Sequence, residues 1–209
     1  MRNLFLSLAL LTAGAFSYAQ EGDFNPQKGD LLVRVRALGV IPSEDDNTNL
    51  GDVAIGKALV PELDFTYFFT ENLAAELILG TTNHSVDLET ATGDVDLGNV
   101  NLLPPTLTLQ YHLPLNNGKI KPYAGAGINY TIFYGVDSGV FKDISYDNKV
   151  GFALQLGSDF YINDKMFINA DVKKIFLKTD VTIDTGAGTL PVEVNIDPWL
   201  LGVGMGMKF

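Results

Sequence analysis

The sequence predicts an all-β protein, an eight-stranded antiparallel transmembrane β-barrel after a cleaved N-terminal signal peptide. Three observations lead there. Candidate strands with period-2 alternation of side chains recur along the chain beyond residue 19. Their connections run long, short, long, short, long, short, long, as in outer-membrane barrels with tight turns on one side and long loops on the other. Finally, Phe65, Tyr67 and Phe69 crowd beside the tight turn Thr70-Glu71-Asn72, where a membrane barrel places an aromatic girdle. In a soluble sandwich hairpin that apolar face would point inward instead.

Residues 1–19 read as a secretory signal. Arg2 supplies the positive end, Leu4 to Leu11 the apolar run, and Ser17-Tyr18-Ala19 a small-x-small cleavage site. Cleavage is expected between Ala19 and Gln20, leaving a barrel domain of residues 20–209. The apolar run is too short to span a bilayer comfortably, and no later stretch approaches 18 continuous apolar residues. Losing Arg2 takes the formal net charge from −11 to −12, which argues against nucleic acid as a partner. Cysteine is absent, so no disulfide holds this exported chain together.

The first strand covers 30–41, with Leu31, Val33, Val35 and Ala37 on one face and Arg34 and Arg36 on the other. A polar, acidic loop over 43–57 follows. The second and third strands form the hairpin over 61–79, with Glu62, Asp64 and Glu76 opposite the apolar face, hence inside. Residues 83–101 read as a second long acidic loop. The fourth strand is 103–113 and ends at Pro114 and the tight turn Asn116-Asn117-Gly118. The fifth is 120–134, followed by a long loop over 135–148. The sixth is 150–162, with a tight turn at Asn163-Asp164-Lys165. The seventh, 166–183, is the least regular. Lys174 falls on the apolar face of Ile168, Ala170, Val172 and Phe176, so either a bulge shifts the register or Lys174 snorkels at the interface. A loop over 184–190 leads to the last segment, 192–209.

Each run is long enough to cross the hydrocarbon at the usual tilt. Closure leaves no sheet edge, which a bilayer demands because it cannot hydrogen-bond free backbone.

The segments LPPTLTLQYHL (103–113), KPYAGAGINYTIFY (121–134) and NIDPWLLGVGMGMKF (195–209) resemble the outer-membrane protein W (OmpW) family of Gram-negative bacteria, and the hairpin and the DLLVRVRALGVIP start also fit. The resemblance implies an eight-stranded barrel with an apolar inner channel that passes small hydrophobic solutes across the outer membrane. It implies outer-membrane lipid and lipopolysaccharide as surroundings, and a C-terminal Phe209 signal read by the barrel assembly machinery. It carries no catalytic motif. It also places Ile78 at the family's apolar narrowing, whereas Lys173 stands where a bulky apolar side chain is expected.

By alternation, Arg34, Arg36, Glu62, Asp64, Glu76, Gln110, His112, Asp159, Asp171 and Lys173 point inward in the half near the tight turns. Opposite charges in a low-dielectric lumen must pair or stay hydrated, so they read as a polar floor. Above it the inward positions become apolar: Leu38, Val40, Ile78, Phe133, Ile175 and Leu200, with Thr82 and Pro104. That pattern fits an open apolar cup, or a core simply filled by side chains, since eight strands leave little room. Pro104 and Pro105 lack backbone donors. They read as a lateral opening from lumen to membrane, or as a strand that starts after them above the bilayer.

His84 and His112, the two histidines, lie near opposite ends and have no cysteine beside them, so neither a metal nor another cofactor is expected. Ser85 next to His84 would face away from it, so no nucleophile–base pair forms and no enzyme is expected. GAGIN (125–129) starts no helix and is not a phosphate loop. Asp45-Asp46 and Asp94/Asp96 read as solvated acidic loops. Two functions remain: a channel for small hydrophobic molecules, or a structural or receptor barrel with a filled core whose loops bind phage, bacteriocin or host partners.

Overall fold

The computed structural model describes residues 24–41, 47–48, 51–55, 58–90, 93–139 and 141–209. The expected signal peptide and its Ala19/Gln20 cleavage site lie outside these residues, as do Asp45 and Asp46. The strands, in chain order, are β1 (Leu31–Ile41), β2 (Asn47–Thr48), β3 (Gly51–Ile55), β4 (Ala58–Phe68), β5 (Leu73–Gly80), β6 (Thr82–Thr90), β7 (Gly93–Leu103) and β8 (Thr106–His112). They continue with β9 (Ile120–Asp137), β10 (Asp143–Tyr146), β11 (Lys149–Tyr161), β12 (Met166–Phe176), β13 (Lys178–Asp184), β14 (Thr189–Asn195) and β15 (Trp199–Lys208).

Eight of them close a barrel in the order β1-β4-β5-β8-β9-β11-β12-β15, and β15 returns to β1. Every neighbour is antiparallel. The closing ladder runs from Leu32↔Lys208 to Ile41↔Trp199. The outer wall is apolar, with Val35, Leu63, Leu77, Leu109, Ile128, Leu154, Leu156 and Val203 all exposed. Such a surface would be unstable in water and matches hydrocarbon. Tyr67, Phe69, Tyr111 and Phe160 are exposed toward the tight-turn side, Tyr130, Tyr134, Phe176 and Trp199 toward the other. These are the aromatic girdles of a membrane barrel.

Beyond the upper girdle the wall continues as sheet. β6 and β7 extend the third and fourth barrel strands, β3 pairs with β6, and β10, β13 and β14 form a separate three-stranded sheet. This corrects several sequence readings: the loop read over 43–57 contains β2 and β3, and the one over 135–148 contains β10. The long acidic loop at 83–101 is mostly the β6–β7 hairpin. The seventh strand breaks at Leu177, and the last segment breaks over 196–198. The cue failed because strands outside the bilayer have no lipid-facing row of apolar residues, and polar alternation reads as loop.

Lys174 needs no bulge. The ladders on both sides of β12 run without a shift, and Lys174 faces outward opposite Trp199. Its Nζ donates to the Asp197 carbonyl and lies 5.2 Å from the Trp199 ring centre, as a snorkelling lysine at the interface should. At the tight-turn side, Asn116, Asn117 and Gly118 all take positive φ (51°, 53° and 78°), the backbone a two-strand connection of this shape requires.

Candidate functional site

The lumen divides into three levels. The lowest is apolar and aromatic: Leu32, Phe68, Ala74, Tyr161 and Phe167 pack together, and Phe24 from the preceding segment closes over them. Lys121 donates to the Phe24 carbonyl, and Lys208 Nζ donates to Asn25 O at 3.4 Å. The polar floor read from sequence therefore has an apolar seal beneath it.

The middle level is that polar floor. Strand register sets its pairing, for Arg34 lies opposite Asp64 and Arg36 opposite Glu62 across β1–β4. On the other side of β1 the opposite residues are Gly206 and Gly204. A Cβ at Gly206 would meet the Phe167 ring and Arg34 Cγ, and one at Gly204 would collide with the Val35 carbonyl. The two glycines form the groove in which the arginine stems lie. Arg34 holds Asp159 with two parallel bonds (Nε–Oδ1 3.2 Å, Nη2–Oδ2 2.9 Å) and reaches Asp64 at 2.9 Å and Glu76 at 3.1 Å. Arg36 donates to Asp64 from Nε (2.9 Å) and Nη2 (2.6 Å) and to Glu76 at 2.7 Å. Arg36 Nη1 lies 3.1 Å from Asp171 Oδ1, near enough for Coulombic attraction but without hydrogen-bond alignment. Lys173 donates to both oxygens of Glu62 at 2.8 and 3.0 Å.

Neutral amides complete the network. Gln155 Nε2 donates to Glu76 and Asp171, Gln110 Nε2 to Glu76 and Gln155, and Tyr123 Oη to Asp171. Asn169 Nδ2 donates to Asp159. His112 is wedged between the Phe68 and Tyr123 rings, with both centroids at 4.8 Å. Among the described residues the buried charges are four cations (Arg34, Arg36, Lys121, Lys173) and five carboxylates (Glu62, Asp64, Glu76, Asp159, Asp171). All the predicted floor residues thus meet in one cross-linked layer. Sequence reasoning omitted Lys121, Tyr123, Gln155 and Asn169, although extending the same alternation along their strands would have found them.

The upper level is a cavity of about 400 Å³. Leu38, Val40, Ile78, Phe133, Ile175 and Leu200 all line it. Val60, Val100, Leu102 and Leu177 join them, and Ile183, Leu190 and Val194 extend the lining into the three-stranded sheet. Glu62 and Lys173 form its base. A purely filled core describes the lower half of the barrel and not this half. His84, within the stretch read as a long acidic loop, stands in β6 and lines the cavity.

Pro104 also lines the cavity, and there the wall is broken. The β5–β8 ladder ends at Ile78↔Thr106 and the β6–β7 ladder starts at Thr82↔Leu102. Between them, residues 79–81 and 103–105 are not paired with each other. The prolines cannot donate, and the β4–β5 ladder on the far side likewise begins only at Glu62↔Gly80, just after Pro61.

The sequence model of the OmpW family matches residues 27–209. An uncharacterized outer-membrane protein of Sinorhizobium fredii, y4mB, is 47% identical over 182 residues, covering 85% of this chain and 79% of its own. Outer membrane protein W of Vibrio cholerae is 31% identical over 223 residues, covering the whole of both chains. The crystal structure of the outer membrane protein OprG from Pseudomonas aeruginosa matches with a TM-score of 0.81 at 27% identity, covering 89% of this chain and 98% of that one.

Proposed function

Because the chain belongs to the OmpW family and is an integral bacterial outer-membrane β-barrel, we propose that it is a narrow channel for small hydrophobic molecules with lateral release into the membrane. The supporting observation is an apolar cavity closed beneath by paired charges and bordered by a break in the wall. Solute enters from the loop side and is held by Leu38, Val40, Ile78, Phe133, Ile175 and Leu200. Passage straight down would carry it through the layer of Arg34, Arg36, Glu62, Asp64, Glu76, Asp171 and Lys173. That would break charge-assisted hydrogen bonds which an apolar molecule cannot replace. Release sideways at Pro104 and Pro105 costs no such bonds, and hydrocarbon is where the solute is most stable.

The test is uptake of pyrene by cells making the native protein, the Pro104→Val/Pro105→Val variant, or no barrel. Native cells should take it up faster than barrel-free cells. The variant regains two backbone donors and should slow uptake toward the barrel-free rate. Equal uptake by native and barrel-free cells would favour a receptor barrel acting through its external strands.

A further inference from the structure

The fourth strand does not fall apart at its two prolines, and what holds it there is a set of side chains. On the inner side, Asn129 is fully buried. Its Nδ2 donates to the Pro104 carbonyl at 3.1 Å and to Thr106 Oγ1 at 2.8 Å. Thr106 Oγ1 in turn donates to the same Pro104 carbonyl at 3.1 Å. Thr131 Oγ1 donates to Asn129 Oδ1 at 2.6 Å and so fixes which way the amide points. At the corner itself Tyr130 N–H donates to the Pro105 carbonyl, 3.0 Å, between the ladder pairs Leu103↔Ile132 and Thr106↔Asn129. On the outer side, Thr81 Oγ1 and Tyr134 Oη lie 2.6 Å apart. Thr81 follows the third strand and Tyr134 belongs to the fifth, opposite Asn101 of the fourth. Their bond therefore crosses the fourth strand just above the break.

We propose that Asn129 is the inner latch of this opening and the Thr81–Tyr134 bond its outer clasp, and that together they set how wide a solute can leave the cavity. The proposal rests on lateral release at Pro104–Pro105. Its logic is the absence of competing bonds. A strand inside a complete ladder is held by backbone bonds on both edges, and losing one side-chain bond would move nothing. Here the third-strand edge carries none, so the corner is held from the fifth-strand side alone, by the Tyr130–Pro105 backbone bond and by the Asn129 amide on the Pro104 carbonyl. Releasing it frees the Pro104 peptide to swing outward. A planar molecule of one or two rings needs less of that movement than one of four rings, so the latch discriminates by size.

The experiment compares Asn129→Leu, Tyr134→Phe and Thr81→Val with the native protein in two measurements. Backbone hydrogen exchange at Tyr130 reports the corner, and uptake of naphthalene and pyrene by intact cells reports the opening. Of the three bonds of the Asn129 side chain only one reaches the Pro104 carbonyl, and loss of one hydrogen bond shifts an opening equilibrium about fivefold. Asn129→Leu should therefore raise exchange at Tyr130 about fivefold, leave the amide of Gly127 unchanged, and raise pyrene uptake more than naphthalene uptake. Tyr134→Phe and Thr81→Val, near-isosteric changes at exposed positions, should each favour pyrene in the same sense and stand in if Asn129→Leu does not assemble. A merely structural residue would lower uptake of both solutes and not raise that of the larger one. Faster exchange with unchanged uptake would overturn the proposal, as would no change in either. If native cells still exceed the Pro104→Val/Pro105→Val variant in those cases, only the latch falls. If native and barrel-free cells take up pyrene equally, the lateral channel falls with it.

Discussion

Arg36→Met removes a guanidinium and keeps most of the stem that lies along Gly202 and Gly204. In the native floor Arg36 makes close bonds to Asp64 and Glu76, stands 3.1 Å from Glu62 Oε1, and is 1% exposed. After the change, three buried cations face five carboxylates, and Arg34 is the one cation still bonded to Asp64 and Glu76 among the described residues. Breaking a buried pair by removing one partner costs about 3–5 kcal/mol, because the other charge is left uncompensated. A matched control is Lys178→Met. Lys178 Nζ lies 3.4 Å from Glu193, with side chains 64% and 62% exposed, and such pairs contribute about 0–1 kcal/mol. The assay is urea unfolding of the barrel in lipid vesicles, followed by fluorescence of the single tryptophan, Trp199. Adding Glu76→Gln to Arg36→Met should recover part of the loss, since it removes one orphaned carboxylate. A loss below about 1 kcal/mol for Arg36→Met would mean that water fills the layer, and the argument that this floor bars passage would fail.

Gly204→Val should cost about 3 kcal/mol or more, or block assembly, because its Cβ collides with the Val35 backbone across the closing seam and neither strand can retreat; the same unfolding assay measures it. Tyr146, in the sheet beyond the upper girdle, stacks on Phe133 at 5.3 Å, and burial pushes its phenol up to about 12. An acid with a raised folded pKa is ionised first in the unfolded chain, so that sheet should lose stability as pH climbs from about 10 toward 12. Tyr146→Phe should abolish the dependence, as read by hydrogen exchange of β10, β13 and β14. Single cysteines at Ser138 and Thr185 should react with an impermeant reagent on intact cells, whereas Asn117 and Asp164 should not; labelling at Asn117 would invert the topology.

Much of this architecture was legible because a membrane barrel repeats one rule along every strand. Within the bilayer each residue is either lipid-facing or lumen-facing, so parity alone placed Arg34, Arg36, Glu76 and Lys173 inside and Leu109, Ile128 and Leu201 outside. Parity gives direction but not height. It could not show that Phe24, Phe68 and Phe167 close the barrel beneath the charges, because a buried phenylalanine and a lipid-facing one look alike in sequence. Outside the bilayer the rule lapses, and β6, β7, β10 and β14 were read wholly or partly as loop. At Pro104-Pro105 the sequence could not show the course of the strand. The fourth strand neither begins there nor runs through, but resumes beyond the prolines as β7. Asn129 carried no signal at all, since one asparagine on an inward face is common and its importance comes from the missing ladder beside it.

The most direct measurement is a map of where an apolar solute sits on its way through. Cells making the native barrel would be given a diazirine derivative of naphthalene, irradiated, and the cross-linked residues identified by mass spectrometry of the purified protein. Apolar entry with sideways release predicts labels on Leu38, Val40, Ile78 and Leu200 in the cavity and on Gly80 and Pro104 at the break, with none on Leu32, Phe68 or Phe167 below the charged floor. Labels on Phe68 or Phe167 would mean that solute passes through the charged layer, and labels confined to the lipid-facing wall would mean that it never enters the barrel.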